Sequence, residues 1–158
     1  MTGEKKQMFT RRITQANRTQ LVVVSYDIFL EYLDDAANAH NDGNTEEFTR
    51  SIQMARECIL QMRSALDFQY ELSKNLFSLY NFADRELAGD MFGNKADNLD
   101  ALRQMFKKLR DAYDTVSKDD TSEPLMDNIQ DVYAGSTYGR NDINENLIDY
   151  GEERGFRV

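Results

Sequence analysis

Apolar residues recur every three or four positions along most of residues 1–118, a spacing that predicts amphipathic helices. The first helix begins after Asn17, because Asn17 and Gln20 occupy the two reciprocal positions of a capping box, and it continues to about Ala39. The second begins after Asn44, which forms another capping box with Glu47. Its apolar positions alternate by four and three residues, as in a heptad seam: Phe48, Ile52, Ala55, Ile59, Met62 and Leu66.

Two further helices follow the same spacing. The segment between Asp67 and Glu71 contains neither glycine nor proline, so the second and third helices are either joined by a tight turn or continuous with a kink. We favour the turn, because one helix over residues 45–90 would be about 69 Å long and could not bury both halves of its stripe in a compact domain. The two apolar stripes are Leu72, Leu76, Leu79, Ala83 and Leu87 in the third helix, and Leu99, Leu102, Phe106, Leu109, Tyr113 and Val116 in the fourth.

These elements predict an all-α protein, an antiparallel up-and-down bundle of four long helices. The bundle domain occupies residues 1–118, including an N-terminal segment over residues 1–17. Residues 119–158 differ in composition, since they contain ten acidic residues and three arginines, against 18 acidic and 16 basic residues before them. Glycines and tyrosines are scattered through them. We expect a partly ordered acidic C-terminal tail.

The charge and the apolar runs limit the possible partners and compartments. A formal net charge of −9 argues against nucleic acid and against an anionic membrane surface, because both favour lysine and arginine. No run of about 18 apolar residues predicts a membrane-spanning helix, and the opening MTGEKKQMFTRR lacks the apolar centre of a secretion signal. We therefore expect a cytoplasmic protein without membrane insertion. The single Cys58 agrees with this and excludes an internal disulfide.

Residues that could support catalysis are sparse. A di-iron site in a helical bundle needs two Glu-x-x-His pairs, and the chain has one histidine, His40. His40 precedes a turn, where a solvated histidine is favourable to the helix dipole. Cys58 has no histidine placed to form a nucleophilic pair, and no glycine-rich phosphate loop follows a strand. We expect no metal, no cofactor and no enzymatic activity.

The first and third helices carry more apolar surface than a bundle core requires. In the third helix, Phe77 and Tyr80 widen the stripe on one flank and Phe82 widens it on the other. In the first helix, apolar residues cover most of the circumference outside one acidic arc of roughly 100°. Each of these helices can therefore face something besides the core. The acids of the arc are Asp27, Glu31, Asp34 and Asp35.

Two explanations for this excess stay open. The surface is covered within the chain, either by the tail or by the N-terminal segment with its Met8, Phe9 and Ile13. Alternatively, a groove receives an amphipathic helix of another protein, because a large contiguous apolar surface on a soluble monomer usually marks an interaction site. Both hold if the covering segment is displaced when the partner binds.

Four motifs in order resemble those of the flagellar secretion chaperone family FliS. ITQANRTQLVVVSYDI, residues 13–28, is similar to the family's opening pattern, roughly V-x-T-A-S-P-x-x-L followed by L-Y-D-G, and matches it at Tyr26 and Asp27. LSKNLFSLYNF, which contains Asn75, Leu76 and Leu79, looks very like the family's I-S-x-N-L-Y-S-L-Y-x-Y. The second-helix pattern matches at Ala55, Ile59, Leu66 and Asp67, and LRDAY, residues 109–113, resembles a closing L-R-D-A-W.

The resemblance implies a cytoplasmic chaperone that binds the C-terminal segment of flagellin, prevents its premature polymerisation and hands it to the flagellar export apparatus. It extends from about Ile13 to Val116. Three departures could alter binding: Asn17-Arg18 replaces Ser-Pro, Ser25 replaces a leucine and Ile28 replaces a glycine.

The apolar excess supplies the candidates for the flagellin-binding groove, with core packing as the alternative for each residue. Tyr26 and Asp27 match the family, but they are equally well explained as a structural tyrosine and a solvated acid. The groove candidates are Ile28, Tyr32, Leu60, Phe77, Tyr80 and Phe82.

A second hypothesis is a regulatory or adaptor bundle that acts through its acidic C-terminal tail and no longer binds flagellin. The departures at Arg18, Ser25 and Ile28 favour it. Deletion of the tail at about residue 118 discriminates between the two, because the chaperone hypothesis predicts that flagellin binding largely survives.

Overall fold

The structure, a computed structural model, describes residues 1–126. Within that range it contains five α-helices and no strand, which confirms the all-α prediction. The prediction of a partly ordered tail over residues 119–158 lies mostly outside the described residues. The helices are α1 (Gly3–Gln15), α2 (Arg18–Asn41), α3 (Thr45–Ser64), α4 (Glu71–Gly93) and α5 (Leu99–Asp119).

Helix α1 was not predicted, because the N-terminal segment was expected only as a covering segment. Its helix is capped by Thr2, whose side chain accepts a hydrogen bond from the Lys5 amide. Phe9 is its one buried residue. Its apolar residues are few, and a helix of 13 residues depends on the bundle for its stability.

The predicted starts of α2 and α3 are confirmed. At α2, the Gln20 amide donates to Asn17 Oδ1 at 2.9 Å, and the Asn17 amide donates to Gln20 Oε1 at 3.1 Å. At α3, the Glu47 amide donates to Asn44 Oδ1 at 3.1 Å. Gly43 supplies the turn between the two helices with a φ of 70°, which a residue with a Cβ rarely adopts.

A tight turn joins α3 to α4, as favoured over a continuous helix. It needs no glycine or proline because Asp67 provides the turn chemistry, accepting a hydrogen bond from the Gln69 amide at 3.0 Å. The two helices then run antiparallel, since Arg56 bonds Asp84 while Arg63, further along α3, bonds the earlier Asn81.

Helix α2 is the centre of the architecture. It packs against α1, α3 and α5, whereas α4 packs mainly against α3. Helices α2 to α5 form the bundle, and α1 lies on the outside of α2. The core draws on all four bundle helices, and its largest fully buried side chains are Tyr26, Phe29, Phe48, Phe106, Leu33, Ile52, Ile59, Leu87, Leu99 and Leu102.

An aromatic cluster lies in the middle of this core. The Tyr26 and Phe106 rings meet edge to face with centroids 5.8 Å apart, and Tyr80 stacks on Phe106 at 6.1 Å. The hydroxyls of Tyr26 and Tyr80 lie 2.7 Å apart and form a buried hydrogen bond. The cluster therefore joins α2, α4 and α5 and satisfies both hydroxyls with each other.

The predicted core stripes of α4 and α5 are partly wrong. Leu76, Ala83 and Leu87 are buried as expected, but Leu72 is 58% exposed. Ser73 and Tyr80 take the buried positions instead. Helix α4 is thus rotated from the expected orientation, because its rotation is set by the Tyr80 hydroxyl reaching Tyr26. At the end of α5, similarly, Val116 is exposed and Ser117 is buried.

The tyrosine pair generates a stability prediction. Tyr80→Phe removes one hydroxyl and leaves the buried Tyr26 hydroxyl without its partner, which should cost about 1–3 kcal/mol of unfolding free energy. The double variant Tyr26→Phe/Tyr80→Phe leaves no orphaned hydroxyl and should lose less than the sum of the two single changes. Urea denaturation measures all four chains, and strictly additive losses would show that the hydroxyls do not interact.

The same pair predicts a loss of stability at alkaline pH. Burial raises the pKa of Tyr80 to about 12 and raises the pKa of Tyr26 as well. An unfolded tyrosine ionises near pH 10, so the folded state binds these protons more tightly, and stability falls as pH rises from about 10 towards 12. Urea midpoints across that range should fall more steeply for the native chain than for the double phenylalanine variant; parallel curves would contradict the assignment.

Candidate partner-binding surfaces

An open groove of about 470 Å³ runs between α4 and α5, which we call the α4–α5 groove. Its floor is apolar and its α5 side carries two polar residues. The backbones of α4 and α5 approach one another less closely than those of α3 and α4. The groove is lined by Leu79 of α4 and by Ala101, Gln104, Met105, Lys108 and Leu109 of α5.

Two local structures connect α4 and α5 beside this groove. The Tyr80 ring of α4 stacks on the Phe106 ring of α5, with centroids 6.1 Å apart. At the connecting turn, the buried Asp90 carboxylate accepts hydrogen bonds from the amide and the side chain of Asn98, at 3.1 and 2.9 Å. Asn94, in the left-handed conformation, ends α4. The separation of the helices is therefore fixed at the turn and in the middle.

Sequence reasoning missed the α5 side of this groove, because α5 was expected to carry only a core stripe. The missed signal is Ala101 and Met105, one residue before the core positions Leu102 and Phe106, which form a second apolar row with Leu109 of the predicted stripe. Residues four apart lie on one helix face, so this row runs along the groove. Met105 and Leu109 are half-buried and Ala101 is exposed.

The six predicted groove residues do not form one surface. Tyr80, 3% exposed, lies in the core, so its expected place at the surface is wrong. Phe82 is 42% exposed and lies three residues after Leu79, on the groove flank of α4. The Arg85 guanidinium lies over its ring, 5.6 Å from the centroid. Phe82 thus lies on the same flank of α4 as Leu79, although it does not itself line the α4–α5 groove.

Phe77 lies on the other flank of α4, beside its contact with α3, and Leu60 belongs to α3. Phe77 is 38% exposed, and its ring packs edge to face against Phe68 at 5.6 Å. Leu60, 54% exposed, lies within one turn of Arg56 and Arg63, the residues that bond across to α4. We call Leu60, Phe68 and Phe77 the α3–α4 seam. The excess predicted for α4 is therefore divided between two surfaces.

Helix α1 covers part of α2. Phe9 is buried at 5% exposure, Ile13 is half-buried and Met8 is 47% exposed, so one of the three predicted covering residues is fully enclosed. Tyr32 is half-buried and lines a small cleft of about 80 Å³ with residues of α1 and α3, and burial raises the pKa of its hydroxyl. Ile28 is also half-buried. These two α2 candidates are accordingly less accessible than Phe77 and Phe82 on α4.

The acidic arc of α2 faces two other helices. Asp27 accepts hydrogen bonds from Arg12 of α1 at 2.6 Å and from Arg110 of α5 at 2.9 Å. Further along α2, Glu31 pairs with Lys5 of α1. Asp27 is thus a structural link between three helices, and the expectation of a solvated acid is wrong. The second family-motif residue there, Tyr26, is the fully buried core tyrosine.

Three residues of the family motif in α4 lie in three different environments. Asn75 is exposed, Leu76 is buried in the core and Leu79 lines the α4–α5 groove. Residues of this one motif therefore face solvent, the core and the groove, because successive residues of a helix point in different directions.

Cys58 and His40, the residues considered for catalysis, lie in environments typical of residues with a structural role. Burial raises the pKa of the Cys58 thiol to about 12, so the thiol is protonated and unreactive near neutral pH. His40 packs against the Phe48 ring at 5.2 Å and lies 3.3 Å from the Asn94 carbonyl oxygen. Within residues 1–126 no three metal-ligating side chains cluster. No helix in the described part of the chain has the length and apolar character needed to cross a membrane.

Comparison with protein families identifies the class. A family model described as "Flagellar protein FliS" matches residues 1–120, and the chain belongs to this family. The match includes α1 through α5. A search of curated proteins found no match. Membership gives the protein a role as a flagellar chaperone, in a family of chaperones rather than enzymes.

The different burial of Tyr80 and Phe77 predicts losses of unfolding free energy of different size when each residue is replaced by serine. Tyr80→Ser empties a core site and should cost about 3–5 kcal/mol of unfolding free energy. Phe77→Ser truncates a partly exposed ring and should cost about 1 kcal/mol or less. Thermal unfolding followed by circular dichroism compares the two, and a loss for Phe77→Ser as large as that for Tyr80→Ser would place Phe77 in the core.

Proposed function

We propose that this protein binds the C-terminal helical segment of flagellin in the α4–α5 groove. By covering that segment in the cytoplasm, it prevents premature polymerisation and keeps flagellin available to the flagellar export apparatus. The observation that carries the proposal is an open apolar groove between two helices, in a member of a flagellar chaperone family.

The shape of the groove suits an amphipathic helix. The row Ala101, Met105 and Leu109 spans about 12 Å along α5, the length over which a docked helix presents residues i, i+4 and i+8. Leu79 supplies apolar contact from the α4 side, and the exposed Phe82 lies on the same flank of α4. A helix buried there replaces water on both apolar surfaces, which provides the favourable free energy of binding.

The polar residues of the groove orient the bound helix. Gln104 and Lys108 lie four residues apart on α5 and both line the groove. A bound amphipathic helix turns its polar edge towards such residues, so Lys108 favours an acidic side chain of the partner and Gln104 can exchange hydrogen bonds with it.

The α3–α4 seam offers a second contact for a segment longer than one helix. Leu60, Phe68 and Phe77 are each more than one-third exposed, and they flank α4 on the side opposite the groove. A segment that crosses α4 can reach both surfaces. The α2 candidates Ile28 and Tyr32 join such a contact only if α1 moves away from α2.

The proposal predicts direct binding of the last 50 or so residues of the flagellin from the same organism. Isothermal titration should show one-to-one binding with a negative heat-capacity change, because apolar surface is buried as the segment folds. Absence of heat at two temperatures, together with no shift in thermal stability, would contradict the proposal.

A matched pair of variants tests the location. Ala101→Glu places a carboxylate in the groove without touching the core, and it should weaken binding about tenfold or more because a bound helix would bury that charge unpaired. Gln53→Glu adds the same charge at an exposed position of α3 and should bind like the native chain. Equal affinity for both variants would remove the α4–α5 groove from the site, even if flagellin binds elsewhere.

A further inference from the structure

The segment after α5 returns to the junction between α1 and α2. The Leu125 amide donates to the Ala16 carbonyl oxygen at 3.0 Å. The Asn17 side-chain amide donates to the carbonyl oxygens of Asp120 and Ser122, at 3.1 and 3.3 Å. We call residues 120–125 the clasp. Its contacts join positions more than 100 residues apart in the chain.

Asn17 performs two functions in this arrangement. Its Oδ1 accepts from the Gln20 amide and caps α2, while its Nδ2 makes both donations to the clasp. The residue is 2% exposed, so these bonds are sheltered from water. A serine hydroxyl has one hydrogen and could not cap the helix and also donate to both clasp carbonyls. The asparagine that departs from the Ser-Pro pattern is therefore explained by the clasp.

The clasp has a defined conformation of its own. Asp120 accepts hydrogen bonds from the Ser122 amide at 3.0 Å and from the Ser122 hydroxyl at 2.6 Å. The Thr19 hydroxyl of α2 donates to the same carboxylate. These donors lower the pKa of Asp120 to about 2, so the carboxylate is charged near neutral pH and keeps its hydrogen bonds.

Helix α1 has few other attachments to the bundle. Phe9 is its single buried side chain, and its pairs with α2 involve partly exposed charges, which contribute little individually. Just before α1, the N-terminal ammonium group of Met1 also pairs with Asp35 of α2. Its C-terminal end leads directly into Ala16 and Asn17, the two residues that the clasp holds. The position of α1 thus depends on contacts at both its face and its junction.

We infer that residues 120–125 act as a clasp coupled to α1, so that opening the clasp favours detachment of α1 from α2, and detachment of α1 favours opening of the clasp. The device is regulatory. A partner that pulls residues 120–125 off the junction between α1 and α2 would expose the surface of α2 that α1 covers, which includes Tyr32. The inference does not depend on the identity of the chaperone's cargo.

Hydrogen exchange of the full-length chain tests the forward coupling. Leu125→Pro removes the amide that donates to Ala16, whereas Leu125→Ala removes the same exposed side chain and keeps the amide. Amides of α1 should exchange about fivefold faster in the proline variant than in the alanine variant, while amides of α3 stay unchanged. Equal α1 rates in the two variants would overturn the inference.

If proline at position 125 disturbs the whole fold, a milder variant tests the coupling between the clasp and α1. Thr19→Val is nearly isosteric and removes only the hydroxyl that donates to Asp120. It should also accelerate exchange in α1 relative to α3, and rates identical to those of the native chain would overturn the inference.

Coupling must also work in the reverse direction. Phe9→Ala weakens the docking of α1 and should accelerate exchange of the Leu125 amide severalfold, measured by nuclear magnetic resonance. Met8→Ala is the control, because this neighbouring residue is half-exposed and contributes little to docking. An unchanged Leu125 rate in Phe9→Ala would show that the clasp is a static contact without coupling.

Discussion

The buried contact of Tyr26, Tyr80 and Phe106 determines what the molecule presents to its surroundings. Each hydroxyl of the tyrosine pair has the other as its partner at 2.7 Å, and leaving either one unpaired in the core is unfavourable. This requirement fixes the rotation of α4. It turns Leu79 and Phe82 towards one flank and Phe77 towards the other. The rings of Tyr80 and Phe106 also stack on one another, so the same core cluster joins α4 to α5, the two helices that line the groove.

A second constraint operates on α2, which must satisfy both an apolar core and an acidic face. The acids do not face solvent alone, because Asp27 bonds arginines of α1 and α5, and Glu31 pairs with α1. Charge attraction therefore brings a short helix with one buried side chain onto the bundle. This attachment consists of one buried side chain and partly exposed ion pairs, which contribute little individually.

The sequence predicts the helices well where the signal is local. Capping residues and apolar spacing lie within a few positions of each other, so the starts of α2 and α3 and the turn at Asp67 could be found. The rotation of α4 could not, since it depends on a hydroxyl pair 54 residues apart. The clasp and the Asp27 pairs are also long-range. The α5 side of the groove was detectable in principle from the row Ala101, Met105 and Leu109, but it stands next to a stronger core stripe.

The methionines of the chain allow a direct test of whether a flagellin helix binds in the α4–α5 groove. Met105 lines the groove, Met62 is buried in the core, and Met54 lies by the cleft between α1 and α3. Methyl resonances of ¹³C-labelled methionine should be recorded while the flagellin segment is added. The account predicts a large shift of Met105 with Met62 nearly unchanged. Saturation of binding with Met105 unmoved, whichever other methyl responds, would contradict it.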